Sequence, residues 1–227
     1  MHIPPYFLLI GAIALVGFLV QRQMKSKFTK YGLIPLNNGM SGQQVAAAML
    51  NYYGIHDVNI VQGEGFLSDH YNPMTKTVNL SPEVYNGRSI ASASVAAHEC
   101  GHVVQHATAY SMLALRNTIV PVVKVAAVAQ QWGLLAAMMF FGSFPQLLLI
   151  VIVAMAITTL FSLITLPVEL DASRRALAWL DSTGMTVGLE HDYAKDSLKW
   201  AALTYVVAAI ASVAMLVYFI LSYLGRR

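Results

Sequence analysis

The chain has 227 residues, of which 57% are hydrophobic and only 11% charged, with a formal net charge of +3 at pH 7 and a mean hydropathy of +0.58. Soluble globular domains carry about 25% charged residues, so this balance excludes an ordinary soluble domain and points to a membrane protein. Nucleic acid is excluded as a partner, because no basic stripe interleaved with aromatics occurs.

A helix needs about 20 apolar residues to cross roughly 30 Å of hydrocarbon. The first such run covers residues 3–20. No positive segment precedes it and no small-residue cleavage pattern follows, so it is expected to stay as an anchor. A polar segment, 21–117, comes next. Within it SGQQVAAAMLNYYGI, from Ser41, has a capping serine, a helical apolar repeat and a terminating Gly54, which predicts one amphipathic helix. VNIVQGEGFLSDHYNPMTKTVNLS places β-favouring residues around two turns, Gly63 to Gly65 and Asn72 to Pro73. It predicts a small antiparallel sheet or hairpin, with strands near Val58 to Gln62 and Thr77 to Leu80. IASASVAAHECGHVVQHATAY lacks internal turn signals apart from Gly101 and predicts one helix beginning near Ser89.

Three further spans follow, at about 118–141, 147–167 and 201–224, with a second polar segment at 168–199. The span at 118–141 contains Lys124, Gln130 and Gln131, so it is tilted, packed in a bundle or lining something polar; Lys124 is expected to snorkel or pair. No repeat or linker divides the chain, so residues 1–227 are expected to form a single domain. One cysteine, Cys100, precludes an internal disulfide.

Four spans put both termini on one side of the membrane and the two polar segments on the other. Arg22, Lys25, Lys27, Lys30, Lys76, Arg88, Arg116, Arg174, Arg175, Lys195 and Lys199 fall on the polar-segment side, against Arg226 and Arg227 on the other. The excess of positive charge predicts that the polar segments are cytoplasmic.

The chemistry is concentrated in VAAHECGHVVQH, residues 95–106. His98 and His102 are four apart on the predicted helix, stacked on one face where both imidazoles can meet a single cation. Glu99 points about 100° away, suited to holding a water beside the metal without ligating it. In this H-E-x-x-H arrangement the metal acidifies water, the glutamate takes its proton, and hydroxide attacks a polarised peptide carbonyl. The flanking alanines and valines imply packing on most sides, where two histidines and a glutamate are costly without a partner ion. A catalytic zinc needs a third protein ligand. His106 lies about 80° around the helix from His98, an awkward position. Glu169, in LPVELDASRRALAWL, is the better candidate, since a helical hairpin formed by the second and third spans returns it to the level of the histidines. Asp171, about 200° from Glu169 on the same helix, is a rival ligand whose alternative is pairing with Arg174 or Arg175.

Five segments, GFLSDHYNP, NLSPEVYNGRSIA, AAHECGHVVQHA, LPVELDASRRALAWL and AALTYVVAA, together resemble the YugP-type membrane zinc metallopeptidases of bacteria over nearly the whole chain. The resemblance implies a mostly α integral membrane protease of the gluzincin kind. Four transmembrane helices would carry a small α+β zincin-like cytoplasmic part. One Zn2+ per chain would be held by His98, His102 and Glu169, with Glu99 as general base. It implies residence in the bacterial inner membrane, with membrane or membrane-associated proteins and peptides as substrates. A membrane-protein regulator or a homo-oligomer is left open. The chain departs from the family at Cys100, where alanine is usual, and at Asn72, where aspartate is commoner. Its layout is also similar to the HtpX and CAAX-protease group, in which a glutamate after the hairpin is followed four residues later by aspartate; here Ser173 stands at that place.

In zincin-like sites an edge strand ahead of the histidine helix pairs with an extended substrate, and Thr77 to Leu80 is the candidate. His70, Tyr71, His191 and Tyr205 are the possible donors to a transition-state oxyanion. His70 is also a turn-stabilising residue beside Asp69, Tyr205 is expected to pack or anchor the last span, and His191 is expected to be solvated. Cys100 reads as a small buried packing residue. Two other functions compete: a zinc-holding membrane scaffold, disfavoured by the intact Glu99, and ion transport, which would require acidic or histidine residues deep in the spans.

Overall fold

The computed structural model describes residues 5–65, 67–139 and 145–225. Residues 3–4 and 140–141 at the ends of two expected spans, and the pair Arg226 and Arg227, lie outside the described residues. The chain is mostly helical, and four of its helices are long and apolar enough to cross a membrane. These are α1 (Pro5–Gly32), α5 (Ser111–Met139), α6 (Pro145–Ser182) and α7 (Leu189–Leu224).

Between α1 and α5 the chain builds a small α+β layer: α2 (Gly42–Tyr52), β1 (Asn59–Gln62), β2 (His70–Asn72), β3 (Thr77–Leu80), α3 (Pro82–Tyr85) and α4 (Ile90–Ala107). Helix α2 begins as its sequence dictates. The Ser41 hydroxyl accepts from Gln44 N and the Gln44 side chain accepts from Ser41 N, a reciprocal capping box. It ends at Gly54, whose φ of 66° suits a residue without a Cβ. Helix α4 is capped by Ser89, whose hydroxyl accepts from Ser92 N at 3.1 Å. Val45, Met49 and Leu50 of α2, Val78 and Leu80 of β3, and Val103 and Val104 of α4 form one core, shared with Ala176, Trp179 and Leu180 of α6.

The sheet differs from the expected antiparallel one. β2 and β3 do form an antiparallel hairpin, closed where the Asn72 side chain accepts from Met74 N and Thr75 N. β1, however, pairs with β3 in parallel, so the order is β1-β3-β2. Thr77 to Leu80 is therefore the central strand, with partners on both sides, and not the edge strand expected to receive a substrate. The free edges belong to β1 and β2. The NP turn explains the difference, since it pairs β3 first with the short strand directly before it.

The expected end of the third span at Pro167 is not marked by any end of the helix. Spans and polar segments are joined without interruption in α6 and α7, and α6 runs straight through Pro167. A proline removes one intrahelical bond, which membrane helices tolerate when neighbours re-satisfy the freed carbonyl. At 1.5 Å per residue, Glu169 lies about 36 Å along α6 from Pro145, just past the roughly 30 Å that a hydrocarbon core occupies. Lys124 is exposed on α5, while the Gln130 side chain accepts from Thr158 of α6 at 2.9 Å.

Candidate metal centre

Helix α4 carries His98, Glu99 and His102 into a layer that is otherwise alanine and valine. Its approach to α6 is set by Gly101. A Cβ built there would lie 2.5 Å from the Ala172 carbonyl oxygen, so only glycine lets the two backbones come this close. Ala172 sits between Glu169 and Ser173, which are four residues apart on one face of α6. The contact thereby brings that face against the two histidines.

The result is a convergence of three donor atoms. Glu169 Oε2 lies 3.4 Å from His98 Nε2 and 3.5 Å from His102 Nε2. One ligand atom from each of these residues falls within 4.8 Å of the others, the single such group among the described residues. Zinc bonds of about 2.1 Å at tetrahedral angles separate neighbouring donors by about 3.4 Å, so the spacing fits one ion. Two observations independent of spacing agree. Glu169 is only 3% exposed, yet its Oε2 has no hydrogen-bond partner, a costly state unless a cation satisfies it. The Nδ1 side of the His102 ring is engaged as well. The Gln105 amide donates from Nε2 to Val168 O at 2.8 Å and to Asp171 Oδ2 at 3.0 Å, which leaves its Oε1 to accept from His102 Nδ1 at 3.0 Å. In the neutral ring this arrangement leaves the Nε2 lone pair on the side of Glu169, the form a zinc ligand takes.

Around the three donors the chain supplies a bracing layer. Ser173 Oγ is 3.1 Å from His98 Nδ1, so at the place where aspartate stands in similar layouts a hydroxyl orients the ring. Asp171 faces away from the donors. It holds Gln105 and pairs with Arg174 and Arg175, the latter at 2.6 Å. Arg116 of α5 reaches to 3.8 Å from Glu169 Oε1. Gln105, which is fully buried, and Arg116 are the residues that sequence reasoning missed. Gln105 had a signal, since it stands three residues from His102 on an apolar helix; Arg116 had none beyond its charge.

Glu99 is 8% exposed and opens, with His98 and Glu169, onto a cavity of about 220 Å³. Burial pushes its carboxyl above the ordinary range, against the pull of the two imidazoles. Tyr205 of α7 lines the same cavity, within electrostatic reach of Glu169, Glu99 and Arg116. The other candidates lie elsewhere. His70 is exposed on β2, its Nδ1 2.8 Å from Ser68 O and its Nε2 3.3 Å from Asn79, and it is not among the cavity-lining residues. Tyr71 bonds His106 at 2.8 Å, an exposed pair outside the donor group. His191 is half-buried against Thr186 at 3.2 Å, which differs from the solvated state expected. Cys100 is fully buried beside Ala46 O, and burial pushes its thiol up, so no thiolate forms.

Residues 6–224 match a family described as "Putative neutral zinc metallopeptidase". The chain is also similar to a Bacillus subtilis (strain 168) protein called "Putative membrane protease YugP", 39% identical over 221 residues that cover 97% of each chain. No solved structure matches the chain.

Proposed function

The chain belongs to this family of zinc metallopeptidases, and from that premise we propose that it is a membrane zinc endopeptidase acting on membrane or membrane-associated proteins at the cytoplasmic face of the bacterial inner membrane. One zinc per chain would be held by His98, His102 and Glu169. The reading rests above all on the unpartnered, buried Glu169 Oε2, set 3.4 and 3.5 Å from two imidazole nitrogens.

When bound, zinc supplies an acidified water and a polarised peptide carbonyl. The remaining steps belong to side chains. Glu99, adjacent to the donors yet not one of them, takes the proton from the attacking water and returns it to the leaving amine. Its raised proton affinity, a consequence of burial, suits it to both transfers. Of the four candidate oxyanion donors only Tyr205 lines the cavity, and its hydroxyl is the group we assign to that task. His70, engaged with Ser68 and Asn79, is assigned to its turn. Gln105 and Ser173 hold the imidazoles so that Nε2 of each faces inward.

The deciding experiment compares Glu99→Gln with wild type, both purified in detergent. The variant is expected to retain one zinc per chain by elemental analysis while proteolysis of a membrane-extract substrate falls about 10²–10⁴-fold. Full activity in the variant would remove Glu99 from the mechanism. Glu169→Ala should lower zinc occupancy; unchanged occupancy would reopen the case for Asp171 or His106.

A further inference from the structure

The cavity at the metal centre has two unlike walls. One is polar and carries His98, Glu99, Glu169 and Tyr205. The other lining is largely apolar and comes mainly from two long helices, Met24 and Phe28 of α1 and Leu198, Ala201 and Ala202 of α7, with Asp69 among the remaining residues. Met24 and Phe28 are four residues apart and so share one face of α1, while Leu198, Ala201 or Ala202, and Tyr205 recur at three- to four-residue spacing along one stripe of α7. This stripe joins the two walls, since its last member stands beside the donors. Positions 201 and 202 on this lining are alanine, among the smallest side chains there. The whole cavity, polar side included, is about 220 Å³, below the 300–1,000 Å³ of pockets for drug-sized ligands, so its apolar part has room for no more than about one side chain.

We propose that this recess is a specificity pocket that takes one large aliphatic or aromatic substrate side chain next to the scissile bond, with Ala201 and Ala202 setting its depth and Met24 and Phe28 its far wall. The proposal rests on the peptidase reading for its biological meaning. Its chemistry rests on the wall itself, which offers a buried charge no partner and an apolar side chain several. Both α1 and α7 rise from the bilayer, so the recess faces the level at which an apolar segment of a membrane protein leaves the lipid.

The test measures binding without turnover. Zinc-loaded Glu99→Gln protein is titrated with alanine, leucine and phenylalanine hydroxamates, which share a zinc-binding head and differ in side chain. Leucine hydroxamate is expected to bind tenfold or more tightly than the alanine compound, the change that burying two or more further methylene-sized groups produces. Adding Ala202→Leu should reduce that ratio to about one. A second variant, Met24→Ala, enlarges the recess and should move the preference toward the phenylalanine compound, and zinc content checks that both variants are folded. Equal affinity for the three compounds in the Glu99→Gln protein, at any strength, overturns the pocket, as does a ratio that neither variant changes. Hydrolysis by wild type is measured separately: a protein that discriminates the hydroxamates yet cleaves no membrane-extract protein refutes the peptidase reading and leaves the pocket standing.

Discussion

At the scale of single residues, Gln105 shows how much of the candidate metal site lies behind its three donor residues. It is fully buried, and it connects His102 to Asp171 and through it to Arg175. Replacing it with leucine leaves His102 Nδ1 without its partner, takes one donor from Asp171, which keeps Arg174 and Arg175, and frees the ring to adopt the other tautomer. Gln105→Leu should weaken zinc binding about 10–100-fold, read by competition with a chelator, with activity regained at saturating zinc. Tyr205→Phe should behave in the opposite way. Zinc affinity is unchanged while kcat falls about 10²–10³-fold, the usual loss for one oxyanion donor; an unchanged kcat would leave Tyr205 a wall residue. His98 and His102 were legible in the sequence because helical spacing alone stacks them, and Glu99 because it stands one residue on, about 100° around the same helix. Tyr205 was one of four named candidates that the sequence could not rank, because nothing local says that the start of the last span faces a residue more than one hundred positions earlier.

At the scale of elements, the site is a helix–helix contact. Helix α4 presents two imidazoles, α6 presents the carboxylate, and Gly101 against Ala172 sets their separation. Gly101→Ala places a methyl group 2.5 Å from a backbone oxygen that belongs to a long packed helix and has no room to retreat. The variant should lose about 1–3 kcal/mol of stability, as overpacked cores do, and bind substoichiometric zinc. A melting temperature and zinc content equal to wild type would show that the close approach is dispensable. The continuity of α6 matters for the same reason. Glu169 is held in phase with the membrane-spanning part of its own helix, so one residue inserted between Pro167 and Glu169 would rotate the carboxylate about 100° away from the histidines. The hairpin argument found this carboxylate from sequence. It could not show that Pro167 is absorbed without a break, because that depends on what packs around the freed carbonyl.

At the scale of the whole molecule, an α+β layer packs against the four long apolar helices, with the three donor residues where the two parts meet. The distribution of positive charge predicts an outcome in whole cells. In a Cys100→Ala background, a cysteine at Met74, which is 92% exposed, should react with an impermeant thiol reagent only after the membrane is opened. A cysteine at Gly225 should react in intact spheroplasts; the reverse pattern would invert the assigned orientation. The sheet marks the limit of such reading. Strand positions near Val58 to Gln62 and Thr77 to Leu80 were visible as β-favouring runs, but their pairing was not, because β1 joins β3 in parallel across the whole β2 hairpin.

Spacing within one helix, the length of the apolar runs and the balance of charge are local or additive properties, and they determined the four spans, the H-E-x-x-H helix and the choice of Glu169. The partners that hold the imidazoles, the central place of β3, the entry of Arg116 and Tyr205, and the apolar recess between α1 and α7 were decided by tertiary structure alone. Each depends on which faces of distant helices meet, and that is set by the joint packing of the whole chain.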